Sequence, residues 1–230
     1  SIIREYLQKT KKYDQAWNKY RIALDKYNRE LEKARATGDD EPDEPSEPEY
    51  DAKCDALLPV IRGELPAHFH AHRADDIFTA IRIAREFGLR FSIVHCTDGA
   101  AIADILAAEG VTAFSGPTLS DRSKPELRSL SFETPGILDR AGVLIGITTD
   151  HPVIPLQYLP LCAALAVRAG MDKKAALRAI TINPAKILGI DSRVGSLEIG
   201  KDADFAVWLG DPLNVMSRPA AVWINGKKEA

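Results

Sequence analysis

Cysteine is scarce in this chain and never paired. Cys54, Cys96 and Cys162 are the only thiols among 230 residues, an odd number placed far apart. No Cys-x-x-Cys occurs, which excludes a zinc ribbon or a dithiol redox motif. An excess of basic charge is also missing. The 30 Lys and Arg face 33 Asp and Glu, for a net charge of −3, so the electrostatic footprint of a nucleic-acid binder is absent. No apolar run approaches the roughly 18 residues of a membrane span, and no signal-peptide pattern opens the chain. Cytoplasmic residence is expected, with no nucleic-acid or membrane partner. The rest of the composition is ordinary, 45% hydrophobic and 27% charged. It allows one substantial core and a small second domain.

Histidine is sparse too, five in all, but its placement carries information. His68, His70 and His72 alternate strictly in Pro66-Ala-His-Phe-His-Ala-His72. Residues two apart on a strand point the same way, so three imidazoles share one face. His95 ends the apolar run Phe91-Ser-Ile-Val-His95, and His151 follows Asp150, which ends Val143-Leu-Ile-Gly-Ile-Thr-Thr-Asp150. Each cluster lies where an apolar strand runs into a loop. In a barrel of parallel strands that rim carries chemistry before stability.

The spacing predicts one long helix over 3–36. Tyr6, Tyr13, Tyr20 and Tyr27 repeat every seven residues, and Trp17, Leu24 and Leu31 keep the adjoining step. This is one buried seam, serving either its own domain or a partner helix. Residues 37–50 are rich in proline and acid and cannot bury a core, so an exposed, mobile loop is expected. A short helix over 51–62 follows. Strands at 66–72, 90–95, 111–115 and 143–149 then alternate with helices at 74–87, 98–109, 135–141 and 158–170. Another helix, 172–181, precedes a turn at Asn183-Pro184. Alternation with short connections means parallel βα units. Four units are present where a closed barrel needs eight. Short strands near Val207-Trp208 and over 221–224, the latter closed by Asn225-Gly226, form a small β appendage.

Together these pieces resemble the metal-dependent amidohydrolase superfamily, in its imidazolonepropionase-related branch. The match is carried by His70-Ala-His-Arg-Ala-Asp-Asp-Ile77, His95-Cys-Thr-Asp-Gly99, Thr149-Asp-His-Pro-Val153, Ala179-Ile-Thr-Ile-Asn-Pro-Ala185 and Gly195-Ser-Leu-Glu-Ile-Gly-Lys-Asp-Ala-Asp204. The resemblance implies an α/β fold: a partial (β/α)8 TIM-like barrel holding the equivalents of strands five to eight. A long N-terminal helix precedes it and a small C-terminal β appendage follows. Residues 1–190 would form the partial barrel and 191–230 the strands of the β domain. The His-x-His that relatives carry on their first strand has no counterpart.

By the resemblance, His70, His95 and Asp150 are metal ligands, and Asp150 and His95 are catalytic. Asp150 shuttles the proton; His95 binds metal or contacts the substrate carbonyl. Zinc is the first expectation for the divalent metal, with iron and manganese also suited to such donors. His72 either faces substrate or bonds a neighbour. His151 shapes the loop or touches substrate. Gly116-Pro117 and Arg122-Ser-Lys124 either bind an acidic substrate group, gripped by Arg122, or form a solvated basic loop. His68 reads as a barrel-interior residue, and Cys96 as a small buried one. Arg73 and Asp76 form a cap and surface ion pair or touch substrate. The implied reaction is hydrolysis of a cyclic or linear amide, a non-peptide C–N bond, in a small-molecule substrate. The competing reading is an inactive half-barrel that works only by assembly with another chain. With its ligand set reduced, the chain alone is expected to hold metal weakly and to be inactive, and its open edges point to a homo-oligomer.

Overall fold

A computed structural model describes residues 2–229. The chain divides into two compact units, residues 1–65 with 85–90, and residues 66–84 with 91–230.

In the first unit, α1 (Ile2–Thr37) packs along α2 (Ala52–Ile61). Leu7, Thr10 and Ala34 are buried on α1, and Tyr13, Trp17, Tyr20, Leu24 and Leu31 are half-buried between them. Steps of three and four place these residues on one stripe, and the remaining surface is charged. Tyr13, Trp17 and Tyr20 meet edge to face, with ring centroids 6.1 and 5.8 Å apart. Asp51 caps α2 by accepting from the backbone N–H groups of Lys53 and Cys54, each at 3.0 Å. The Lys9 ammonium donates to the same carboxylate and, with the cap bonds, lowers its pKa to about 2. Residues 39–51 have no regular structure and are mostly exposed.

The second unit is a mixed α/β fold on a four-stranded parallel sheet. Its elements are β1 (Ala67–Ala71), α3 (Ala74–Phe87, shared with the first unit), β2 (Phe91–His95), α4 (Ala103–Ala108), β3 (Thr112–Ser115), α5 (Thr134–Arg140) and β4 (Ile145–Ile147). The spatial order is β1-β2-β3-β4. Helices α6 (Leu159–Arg168), α7 (Lys173–Ala179) and α8 (Ile182–Leu188) follow. Register places Phe69, Ile93, Ala113 and Ile145 in one row. That row joins Ile77 and Ile81 of α3, Leu106 of α4, Leu138 of α5 and Ala163 of α6 in one buried cluster. The alternate row, His70, Val94, Phe114 and Gly146, looks the other way.

Two expectations change. The helix expected over 98–109 begins as a 3-10 segment, Thr97–Ile102, and becomes α-helical only at Ala103. Left-handed φ values of 75° at His95 and 48° at Cys96 bring the chain in at an angle that the tighter turn accommodates. Asn183-Pro184 is no turn. It lies in the first turn of α8, where a proline nitrogen has no intrahelical carbonyl to bond. Asn183 is buried there and donates through Nδ2 to the Ile145 carbonyl at 2.9 Å. Leu144 O and Thr148 N bond toward β3, so the Ile145 carbonyl points to the free edge of β4, and Asn183 satisfies it.

The appendage is an antiparallel sheet of β5 (Phe205–Leu209), β6 (Arg218–Ile224) and β7 (Lys227–Lys228), in that order. Phe205 and Trp223 stack at 4.7 Å. Among the described residues, no helix is long and apolar enough to cross a membrane.

Candidate metal-binding site

Strand period alone puts His68 and His70 on the same face of β1, and His72 follows just beyond the strand end. His95 belongs by register to the opposite row, with Ala71, Ser115 and Ile147. Its φ of 75° reverses this. Rotating about N–Cα from an extended to a left-handed value swings the side chain to the other side of the strand. The ring arrives over His70, with centroids 4.2 Å apart, and stacks on His72 at 4.6 Å. A non-glycine residue held in this region stores about 1–3 kcal/mol of strain, a feature that clusters at functional sites.

His70, His72 and His95 thereby form a group whose candidate donor atoms all lie within 4.8 Å of one another. His70 stands in the middle. Its Nδ1 is 3.2 Å from His95 Nε2, and its Nε2 is 3.1 Å from His72 Nε2. Both outer rings are oriented from behind. His95 Nδ1 lies 2.7 Å from the Gly116 carbonyl. A carbonyl only accepts, so this nitrogen carries a proton and Nε2 is the nitrogen left to ligate. His72 Nδ1 lies 2.8 Å from the Thr97 hydroxyl. Gly116 has φ 126°, and a Cβ there would meet the Thr148 carbonyl oxygen at 2.3 Å. The oxygen that orients His95 therefore depends on a backbone only glycine adopts.

Burial is the first cause lowering the pKa of His70, followed by the charge of His95. His72 is lowered to about 4, again chiefly by burial and then by His95 and His70. Neutral imidazoles are the ligating form. Two of the donor spacings, 3.1 and 3.2 Å, are close to the roughly 3.3 Å separating two ligands of a tetrahedral ion with bonds of ~2.0–2.1 Å. The residues fit a divalent metal. Since His70 turns one nitrogen to each neighbour, a single ion would use one of the two.

Asp150 lines the same cavity of about 360 Å³, together with Thr97, Gly116, Ser120, Asp121, Lys124 and Leu130. Its φ is 50°, and its carboxylate is near enough to favour the charged form of His70. His68 is exposed, bonded through Nδ1 to Ser92 Oγ at 2.7 Å and edge-on to Phe114. His151 is exposed and outside the residues lining the cavity. Arg122 lines an adjoining cavity and donates from one terminal nitrogen to the Leu130 carbonyl at 2.7 Å. Cys96 is fully buried, and burial pushes its thiol up to about 12, so it is no nucleophile at neutral pH. Arg73 pairs with Asp75 at 2.9 Å on the surface. Asp98 accepts from the Ala74 backbone N–H at 3.0 Å and so caps α3. Gly116, Thr97 and Lys124 were not singled out from sequence as parts of the metal site. Thr97 lies inside the His95-Cys-Thr-Asp98 motif, and Gly116 and Lys124 in the loop read from sequence as a candidate site for an acidic substrate group.

Residues 60–228 match the amidohydrolase family. Imidazolonepropionase from Shewanella frigidimarina is 61% identical across 70% of this chain and 48% of its own length. Imidazolonepropionase from Sphingopyxis alaskensis is 27% identical across 74% of this chain and 51% of its own. An amidohydrolase structure from Thermotoga maritima superposes with a TM-score of 0.83 at 41% identity, covering 99% of this chain and 54% of that one. The chain spans about half the length of these relatives.

Proposed function

The chain belongs to the amidohydrolase family, in its imidazolonepropionase-related branch, and we propose that the protein hydrolyses a cyclic or linear amide of a small molecule with the help of a divalent metal. One observation carries this reading: three imidazoles converge in a cavity that Asp150 also lines. His70 would hold the ion with His95 on one side or His72 on the other, Asp150 being a further donor. The bound metal would lower the pKa of water and polarise the amide carbonyl, with zinc the first choice.

The chain's own residues supply the rest. Asp150 takes the proton from attacking water and returns it to the leaving nitrogen. A carboxylate suits both steps, because the same oxygen accepts and then donates. His95, its Nδ1 turned to the Gly116 carbonyl, presents Nε2 to the cavity, where it serves as a ligand or contacts the substrate carbonyl. Gly116 and Thr97 hold the rings in register. Arg122 and His72 are the polar groups we assign to substrate, His72 only where the metal takes the His95 side of His70. His151 contacts substrate only if its loop turns inward.

The length relation favours a specific condition. Strands β1 and β4 are the outer strands of the sheet, and an unpaired strand edge invites pairing with further strands. The activity is assigned to the assembled protein in which those edges are covered, a homo-oligomer being one such assembly. The test is an amidase screen on zinc-loaded protein, over cyclic and linear amides, with and without chelator. Turnover that disappears with chelator and returns with metal supports the reading. Amide turnover indifferent to chelator contradicts it.

A further inference from the structure

A second cavity, of about 680 Å³, adjoins the imidazole cavity. The two share Ser120, Asp121, Leu130 and Val153 as lining residues. The shared residues come from the segments after β3 and β4, so a molecule seated at the imidazoles meets this second space next. Its lining is mixed. Thr118, Ser120 and Ser131 bring hydroxyls, while Leu119, Phe132 and Ile154 bring apolar surface.

Two full charges of opposite sign face it, Asp121 and Arg122. Among the described residues neither takes part in an ion pair within 4.0 Å. Arg122 spends one terminal nitrogen on the Leu130 carbonyl, which fixes the guanidinium and leaves its remaining N–H groups to bond a ligand. Neighbouring charges in sequence that line one cavity, yet do not neutralise each other, can both be matched by one ligand group carrying both charges.

We infer that this cavity recognises the zwitterionic α-amino-acid end of the substrate, with Arg122 bonding its carboxylate and Asp121 its ammonium. The inference rests on the amidohydrolase reading for what happens at the imidazoles and adds the substrate class: an amide whose far end is a free amino acid. Guanidinium and carboxylate match through two parallel hydrogen bonds, and a carboxylate accepts from an ammonium with comparable strength. Both residues are exposed, so a ligand lacking either charge forgoes one of the two charge-assisted bonds, which is where discrimination arises. Binding of both ends orients the amide carbonyl toward His70 and Asp150.

Three probes separate the charges. Nε-acetyl-L-lysine carries both, N-acetylcadaverine only the ammonium, and 6-acetamidohexanoate only the carboxylate. Their binding is measured by ligand-observed NMR titration on this chain, which contains every residue of the cavity. Acetate release is measured separately on the zinc-loaded protein. The expected result is that Nε-acetyl-L-lysine binds about tenfold or more tightly than either analogue. Arg122→Gln should abolish its advantage over N-acetylcadaverine, with Arg122→Lys restoring part of it. Asp121→Asn should abolish its advantage over 6-acetamidohexanoate. Equal binding of the three probes, no binding of any, or unchanged ranking in both variants overturns the inference. Charge-dependent binding without acetate release upholds the end-group site and counts against hydrolysis. Release with a ranking that ignores both variants does the reverse.

Discussion

On one face of the four-stranded sheet Phe69, Ile93, Ala113 and Ile145 lie in a row; on the other, His70, Val94, Phe114 and Gly146 do. Ile93, Ala113 and Ile145 are 0% exposed, covered by helices that follow each strand. His68 and His70 on the opposite face are exposed. The same four strands thus carry a scaffold on one side and candidate ligands on the other. The difference shows how a rigid array of imidazoles is made. The apolar face fixes strand positions, and two backbone reversals at the strand ends, His95 and Asp150, aim side chains into the cavity. Stability and chemistry should therefore respond to different substitutions.

The largest effect expected is on the chemical face. Asp150→Asn in zinc-loaded, assembled protein should lower amide turnover ~100- to 10,000-fold, because asparagine cannot accept the proton. The melting curve should hardly move, since the side chain is exposed. Near-normal turnover would make Asp150 structural and blur the contrast between the faces.

The converse comes next. Ile93→Ala should cost about 2–5 kcal/mol in denaturant unfolding, the range for emptying a core aliphatic site. His68→Ala, opposite in the pleat, should cost far less. Equal losses would mean that both faces are packed scaffold. Gly146→Ala tests the boundary between them. The new methyl carbon would stand 2.7 Å from Phe114 Cδ1 and 3.2 Å from Pro184 Cγ. Moving them should cost about 1–3 kcal/mol, and calorimetry would show it.

The smallest effect is a pH dependence that belongs to the chemical face. His72 titrates near 4 when folded and near about 6.5 when unfolded. Between these values the unfolded, metal-free chain binds more protons. Its stability is therefore full above about pH 6.5 and declines as pH falls toward 4. Thermal melts across that window should show a shallower decline in His72→Gln. An unchanged slope would remove His72 from the explanation.

Much of this contrast was legible in the sequence, and its limits are physical. Alternation at His68 and His70 survives into structure because a strand has period two. The α1 seam was readable for the matching reason at period 3.6. The βα order was equally clear, since apolar runs bounded by turns are local. The reversal at His95 was not legible, because a single left-handed φ leaves no compositional mark unless glycine carries it. Nor was the membership of His72 in the imidazole group, which needs the ring positions of β2. Counting His70, His95 and Asp150 alone suggested a poor ligand set. Geometry adds a third imidazole. Asn183-Pro184 misled because proline signals a turn and a helix start alike, and only the burial of Asn183 separates the two.

The central claim is that His70, His72 and His95 act as one metal-holding group on a face distinct from the core. Zinc affinity, measured by competition with a chromogenic chelator, tests it most directly. The wild-type chain should bind about one equivalent, with His70→Ala and His95→Ala each weakening binding at least about tenfold. Ile93→Val, on the apolar face, should leave it unchanged. Zinc affinity indifferent to both histidine substitutions would contradict the account.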